Sequence, residues 1–278
     1  MTISGQSKKR ILRYSIIIIT IFLFTYIYNK KEYKTKIHPR DYQEIVKDGT
    51  LNVTTEYNPI SFFVVGDTVA GFNYDLIQAF AHDKGLKVKM FPMMSFQQRL
   101  EGLLKGKYDV IANTNLVTTQ LKNTVSFTIP IIFNREVLVQ RKRTGKNDST
   151  YIKSTLDLAG RTVYVVKGSP SIVRLQNLEE EIADSIHIKE MDKYGEEQLI
   201  DLVSHGVIDY AICHESIAKN CADSLSEIDI QRPISFTQIY AWAVNKQSPI
   251  LLDSLNTWLE TFIKSNKYKK IYLKYYKK

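Results

Sequence analysis

Two rhythms of hydrophobic and polar positions alternate along most of the chain. Short β-branched or aliphatic runs at 51–55, 87–91, 108–112, 137–140, 162–166, 187–189, 209–213 and 239–244 have the composition of buried strands. Between them lie stretches with helical spacing. One starts near Asn73 or Asp75, either of which is a candidate cap, and runs to about Lys84. Another, 96–105, places Leu100, Leu103 and Leu104 on one face. Further helices are expected at 154–160, from Ser169-Pro170 to about Glu181, at 196–203, and at 248–264 and 266–276. Residues 113–127 are polar, rich in Thr and Asn, and receive no element. The order strand, helix, strand, helix, strand over 51–112 predicts a parallel sheet with right-handed crossovers. In such sheets ligands bind at the carboxyl ends of the strands. The stretch 51–80 supplies that edge with Glu56 and Tyr57.

One run fits neither rhythm. Tyr14 to Tyr28 holds fifteen uncharged, mostly apolar residues between Lys8, Lys9, Arg10, Arg13 and Asn29-Lys30-Lys31. At helical rise this spans only ~22 Å, short of a ~30 Å hydrocarbon core, but snorkelling Arg13 and Lys30 and the flanking tyrosines extend it. A cleaved signal peptide has the same layout. The bulky residues at 25–30 lack a small-x-small site, which favours an uncleaved transmembrane signal anchor. The basic cluster at 8–13 places the N-terminus in the cytoplasm and the body outside it.

Composition is that of a globular chain, 278 residues with 44% hydrophobic and 24% charged. The net charge of +9 suggests a nucleic-acid partner only until it is located. Residues 1–40 carry +8 and 261–278 carry +7, while the body between them carries −6. A nucleic-acid reader concentrates positive charge on its folded reading face, so no nucleic-acid partner is expected. The two cysteines, Cys213 and Cys221, make no disulfide scaffold and are expected to be buried free thiols. The histidines are scattered and suggest no metal site, and no cofactor is implied.

Several motifs in order carry a resemblance. They are Leu51-Asn-Val-Thr-Thr55 with Asn58-Pro-Ile-Ser-Phe62, Gly71-Phe-Asn-Tyr-Asp-Leu76, Gly106-Lys-Tyr-Asp-Val-Ile-Ala112, Asp157-Leu-Ala-Gly-Arg-Thr-Val163 with Lys167-Gly-Ser169, and Lys267-Tyr-Lys-Lys-Ile-Tyr272. Over about 50–276 the chain resembles bacterial solute-binding protein family 3, the extracytoplasmic receptors for polar amino acids. Within that group it is most similar to the N-terminal binding module of the membrane-bound lytic murein transglycosylase F family, without the catalytic domain. The resemblance implies an α/β, two-lobed, periplasmic-binding-protein-like (type II) clamshell, here preceded by one transmembrane helix. The expected division is a basic tail and anchor at 1–30 and a tether or short leading helix at 31–49. Lobe 1 is expected at 50–130 and 241–278, lobe 2 at 136–236, and hinge crossovers at 131–135 and 237–240.

The resemblance also implies a cleft that takes a zwitterion through charge-assisted hydrogen bonds. On its pattern Glu56 stands where some relatives keep an acid for the ammonium, and Tyr57 and Phe96 are candidate aromatic walls. The backbone segment at Asn113 and Asn115 lies where relatives hold a carboxylate. The arginine that follows it in relatives is absent, since its position falls on Gln120 or Lys122, and neither offers a bidentate charged fork. In the second lobe, Gly168 and Ser169 at a helix start are a candidate anion site. His214 replaces the relatives' ammonium-binding Asp, with Glu215 beside it. No enzymatic constellation stands out: the only His-Glu-Ser, at 214–216, sits at a strand end, and the acid/base residues of clamshell dehydratases cannot be assigned. The expected protein is therefore a membrane-anchored binding protein for a small polar ligand, an amino acid or cell-wall peptide fragment, working with a transporter permease or as a sensor. The alternative is a non-catalytic regulator acting on a cell-wall enzyme partner.

Overall fold

The computed structural model describes residues 17–23, 38–145, 148–169 and 171–276. The chain divides into two compact units, Met1–His38 and Pro39–Lys278. In the first, residues 17–23 are helical, and the apolar side chains from Ile17 to Leu23 are exposed. The rest of the expected anchor at 14–28 lies outside the described residues. Among the described residues no helix is long and apolar enough to cross a membrane.

The second unit opens with α1 (Tyr42–Asp48), then β1 (Thr50–Thr55), the hairpin β2 (Phe63–Val65) and β3 (Thr68–Ala70), α2 (Phe72–Asp83), β4 (Lys87–Pro92) and α3 (Phe96–Leu104). β5 (Val110–Leu116), α4 (Thr119–Thr124), β6 (Ser126–Phe127) and β7 (Ile132–Asn134) follow. The central part comprises β8 (Glu136–Arg141), β9 (Thr162–Val166), α5 (Ser171–Ile182), β10 (His187–Met191), α6 (Glu196–Ser204), β11 (Ala211–His214), α7 (Glu215–Ala222) and β12 (Ile228–Pro233). β13 (Gln238–Val244), α8 (Pro249–Phe262) and α9 (Asn266–Tyr276) close the chain.

Two sheets define two lobes. The first has the order β4-β1-β5-β13-β6, with β7 also on β13; the second runs β10-β9-β11-β8-β12. β1 is parallel to β4 and β5, whereas β13 runs antiparallel to β5, β6 and β7. In the second sheet β9 is parallel to β10 and β11, and β8 is antiparallel to β11 and β12. The chain crosses between the sheets at Arg135 and again over 234–237. Because β7 and the first residues of β13 are paired with each other in the first sheet, the first crossover is shorter than the expected 131–135, and the second lies three residues before the expected 237–240. Lobe 1 packs Phe72, Leu76 and Phe80 of α2 in a core with Leu251, Leu255 and Trp258 of α8, all but Trp258 fully buried. Each such side chain contributes roughly 1.5–3 kcal/mol.

Several expectations need correcting. Neither Asn73 nor Asp75 caps α2. Gly71 is the N-cap, with φ 143°, and a Cβ there would sit 2.2 Å from the Ser61 carbonyl oxygen, so only glycine fits. Asn73 instead bridges Ser61 Oγ at 2.9 Å and Trp242 Nε1 at 2.7 Å. The segment 113–127, left without elements, continues β5 to Leu116 and then forms α4, whose N-cap is Thr118. The strand expected at 209–213 covers 211–214 and is followed at once by α7.

Of residues 31–49, expected as a tether or short leading helix, the part 39–49 belongs to the folded unit, and Tyr42–Asp48 forms the short leading helix α1. Asp41 accepts from Tyr42 N at the start of α1, and also from Ile250 N and Leu251 N at the start of α8. Arg40 donates to Asp109 at 2.5 and 3.0 Å and to Asp48 at 3.0 Å, while Ser248 Oγ holds the Arg40 carbonyl at 2.7 Å. One carboxylate thus satisfies the orphan amides of two helix starts.

Candidate functional site

The carboxyl end of β1 carries a chain of buried polar side chains. Thr55 Oγ1 and Ser61 Oγ are 2.9 Å apart, and Ser61 Oγ donates to Asn113 Oδ1 at 3.1 Å. Asn113 Nδ2 in turn donates to Glu56 Oε2 at 3.2 Å. Glu56 also accepts from Arg99 Nη2 at 3.1 Å, and Arg99 anchors itself on the carbonyls of Met93 and Met94. Burial pushes the Glu56 carboxyl up, against the opposing charge of Arg99. A strand-end Glu of ordinary exposure is thus excluded: Glu56 is 8% exposed and Arg99 2%. Arg99 carries no signal in the sequence beyond its place on an amphipathic helix, because its partners lie 5, 6 and 43 residues away.

Lobe 2 presents a second buried ion pair to this one. His214 Nδ1 lies 2.6 Å from Glu196 Oε1, and the His214 amide donates to the same carboxylate at 2.8 Å. Burial alone lowers an imidazole pKa, but Glu196, with Glu136 and Glu56 beyond it, lifts that of His214 to about 9. The His214 ring packs edge-on against Tyr240 of lobe 1, with centroids 5.0 Å apart. The lobes touch at Gly195, the N-cap of α6: a Cβ there would lie 2.5 Å from Met94 Cε and 3.2 Å from Glu56 Oε1. Glu56, Arg99 and Asn113 from lobe 1 therefore meet Glu196 and His214 from lobe 2 across the cleft.

A cavity of about 410 Å³ lies between α3, α4 and α5. Gln97, Thr118, Gln120, Ser169 and Gln176 are its polar lining, set among apolar side chains that include Phe96, Leu100, Leu121, Ile172 and Val173. Its polar lining is neutral, amides and hydroxyls, so it orients a ligand without fixing a charge.

Of the expected residues, Glu56, Asn113 and His214 converge on the charged cluster, and Phe96, Gln120, Gly168 and Ser169 line the cavity between α3, α4 and α5. Tyr57, 40% exposed, stacks edge-on with Phe62. Asn115 extends β5 opposite Ala241, and its side chain lies outside the described part. Lys122 is exposed on α4 and lies off the cavity lining. Glu215 turns away from His214: it accepts from Arg135 at 2.8 and 3.0 Å and pairs with Lys219 at 3.1 Å. The anion site at 168–169 is corrected as well. The Gly168 amide donates to Glu190 and the Ser169 amide to the Val166 carbonyl, so neither is free for an anion. Ser169 Oγ is buried with no hydrogen-bond partner, so it does not cap α5. Both cysteines are buried free thiols.

The model of the bacterial extracellular solute-binding proteins, family 3, matches residues 50–278. The chain belongs to that family. Among solved structures of this fold, an ancestral arginine-binding protein bound to arginine is 29% identical, with a TM-score of 0.72, covering 82% of this chain and 98% of that one. An ancestral arginine-binding protein bound to glutamine is 30% identical, with a TM-score of 0.71, covering 83% and 99%. A membrane-bound lytic murein transglycosylase F from Desulfosudis oleivorans is 28% identical over 235 residues, 84% of this chain and 50% of the relative. The family 3 chain described here thus spans about half the length of the curated relatives it matches.

Proposed function

We propose that the chain is an extracytoplasmic binding protein, tethered to the cytoplasmic membrane by its N-terminal apolar segment, that holds a small polar ligand between its lobes. It carries out no chemical step of its own. The observation that carries this reading is the meeting of two buried ion pairs, Glu56–Arg99 and Glu196–His214, from opposite lobes, in a protein that also has an uncharged cavity between its lobes. Buried charges at a junction between domains make closure depend on what is bound there. The ligand is of the amino-acid type, as in the two arginine-binding neighbours. Gln120, one of the two positions on which the arginine implied by the family resemblance falls, lines the cavity.

The transglycosylase relatives support a second reading, a binding module that regulates a cell-wall enzyme through protein contact. A thermal-shift screen of the chain against amino acids and cell-wall peptide fragments separates the two. Binding raises the unfolding midpoint by an amount that grows with ligand concentration. If no compound shifts the midpoint while pull-downs recover a cell-wall enzyme, the first reading falls and the second stands.

A further inference from the structure

A second cavity, of about 440 Å³, lies beside the first crossover. That falls within the ~300–1,000 Å³ of small-molecule sites. Its two long walls come from different lobes. One is α7, which follows β11 directly and packs on β8 and β12 of lobe 2. The other is α9, whose tyrosines pack around Phe72 of α2 in lobe 1. Phe133 and Asn134 of β7 complete the lobe 1 side.

The walls differ in chemistry. Along α7, Ser216, Lys219, Asn220 and Asp223 recur at the spacing that sets residues on one helical face, and all four line the cavity. They present a hydroxyl, an ammonium, an amide and a carboxylate, so donors and acceptors are mixed. On the other wall Tyr272 and Tyr276 stack one turn apart, their centroids 5.1 Å from each other and their planes within 13°. Phe133, 65% exposed, extends this aromatic surface. Little charge is left over between the walls. Glu215 is held by Arg135 at 2.8 Å and by Lys219 at 3.1 Å. The uncommitted groups are mostly neutral. The Asn220 amide has no hydrogen-bond partner among the described residues. The Tyr276 hydroxyl is buried near Ser216 in a geometry that makes no hydrogen bond. A buried hydroxyl without a partner costs free energy that a ligand can return.

We propose that this cavity is a second binding site, for a pyranose sugar, and that its occupant ties the two lobes together. A sugar ring carries C–H surface on its faces and, at its edge, hydroxyls that both donate and accept. The faces cover the aromatic wall, and the hydroxyls meet Ser216, Asn220 and Tyr276. A compact ion uses only one kind of group and leaves the rest unpaired. Asn134 Nδ2 of lobe 1 already donates to Ser216 Oγ of lobe 2 at 2.9 Å. A ligand that bridges the same walls therefore shifts the balance between open and closed forms. The site is independent of what the cavity between α3, α4 and α5 takes.

Hydrogen exchange of the full chain, in a detergent without a sugar head group, tests this with glucose, N-acetylglucosamine and cellobiose as probes. At least one of the three is expected to slow exchange in α7 and at the end of α9. Asn220→Ala and Tyr276→Phe are each expected to weaken that sugar by roughly three- to tenfold, and Asn220→Trp, which fills the space, to abolish its binding. Small-angle scattering of the unaltered chain is expected to change at saturating sugar. If no probe protects α7 and α9 at millimolar concentration, the inference is overturned. If protection falls on α3 and α5 instead, the sugar occupies the other cavity, so this inference falls while the reading of the interlobe cleft stands. Unchanged affinity in both Asn220→Ala and Tyr276→Phe overturns the assigned contacts, and unchanged scattering overturns the tie between the lobes. Should Tyr276→Phe fail to fold by circular dichroism, the two Asn220 variants decide the matter.

Discussion

At the scale of single residues, His214 is the side chain whose environment differs most from its sequence context. It occupies the position of an expected acid, yet it works as a cation, held by Glu196 and lifted to about 9 by three carboxylates. A folded-state value above the unfolded one means that its contribution to stability is complete below about pH 6.5 and is lost as pH rises through about 9. Burial also raises Glu56 and Glu136, which act in the same direction at lower pH, because their protonated forms favour the folded chain. The free energy of urea unfolding should therefore fall between pH 6 and 8.5 by an amount on the order of a few kcal/mol. His214→Gln should flatten that dependence, and an equally steep profile in the variant would refute the assignment. The sequence pointed to position 214 but not to this role, because the partner is eighteen residues upstream on another element.

Among elements, those with strong periodicity were legible and those defined by a few long-range contacts were not. The strands near 51, 87, 162 and 187 and the two closing helices follow from apolar spacing alone. β12, with the sequence Ile-Asp-Ile-Gln-Arg-Pro, has too little contrast between its faces and forms because β8 offers an edge to pair with. α7 was hidden because its first turn, Glu215-Ser216, reads as a loop until Glu215 is seen paired with Arg135. The start of α2 shows the same limit: Asn73 and Asp75 are good caps by type, but the chain needs Gly71, whose backbone lies against Ser61. Gly71→Ala combines a φ of 143° with backbone overlap and should destabilise the protein by at least ~1–3 kcal/mol. A shift in the chemical-unfolding midpoint checks this, and an unchanged midpoint would show that the hairpin yields freely.

For the molecule as a whole, the clamshell was legible from ordered motifs, whereas the contact that brings its lobes together was not. Gly195 is one point where the lobes touch, and its φ of −88° accepts any side chain, so a substituent there meets Met94 and Glu56 of the other lobe and Gln198 of its own helix rather than backbone strain. Gly195→Val should prop the lobes apart through Met94 and Glu56. Small-angle scattering should record a larger radius of gyration, ligand affinity should fall with the closed fraction, and the unfolding midpoint should stay nearly the same. An unchanged scattering profile would show that closure does not pass through this contact.

The fastening of Arg40 and Asp41 has a mechanical meaning. The entering chain is bolted to Asp109, at the foot of β5, and to the first turn of α8, both in lobe 1. Lobe 1 therefore carries the fixed point of the entering chain, and lobe 2 is connected to it only through the two crossovers. Any closing of the cleft is then a movement of the lobe 2 surface relative to that fixed point. A probe attached to lobe 2 alone would thereby read occupancy as a change in its distance from Arg40, without ever reaching the ligand.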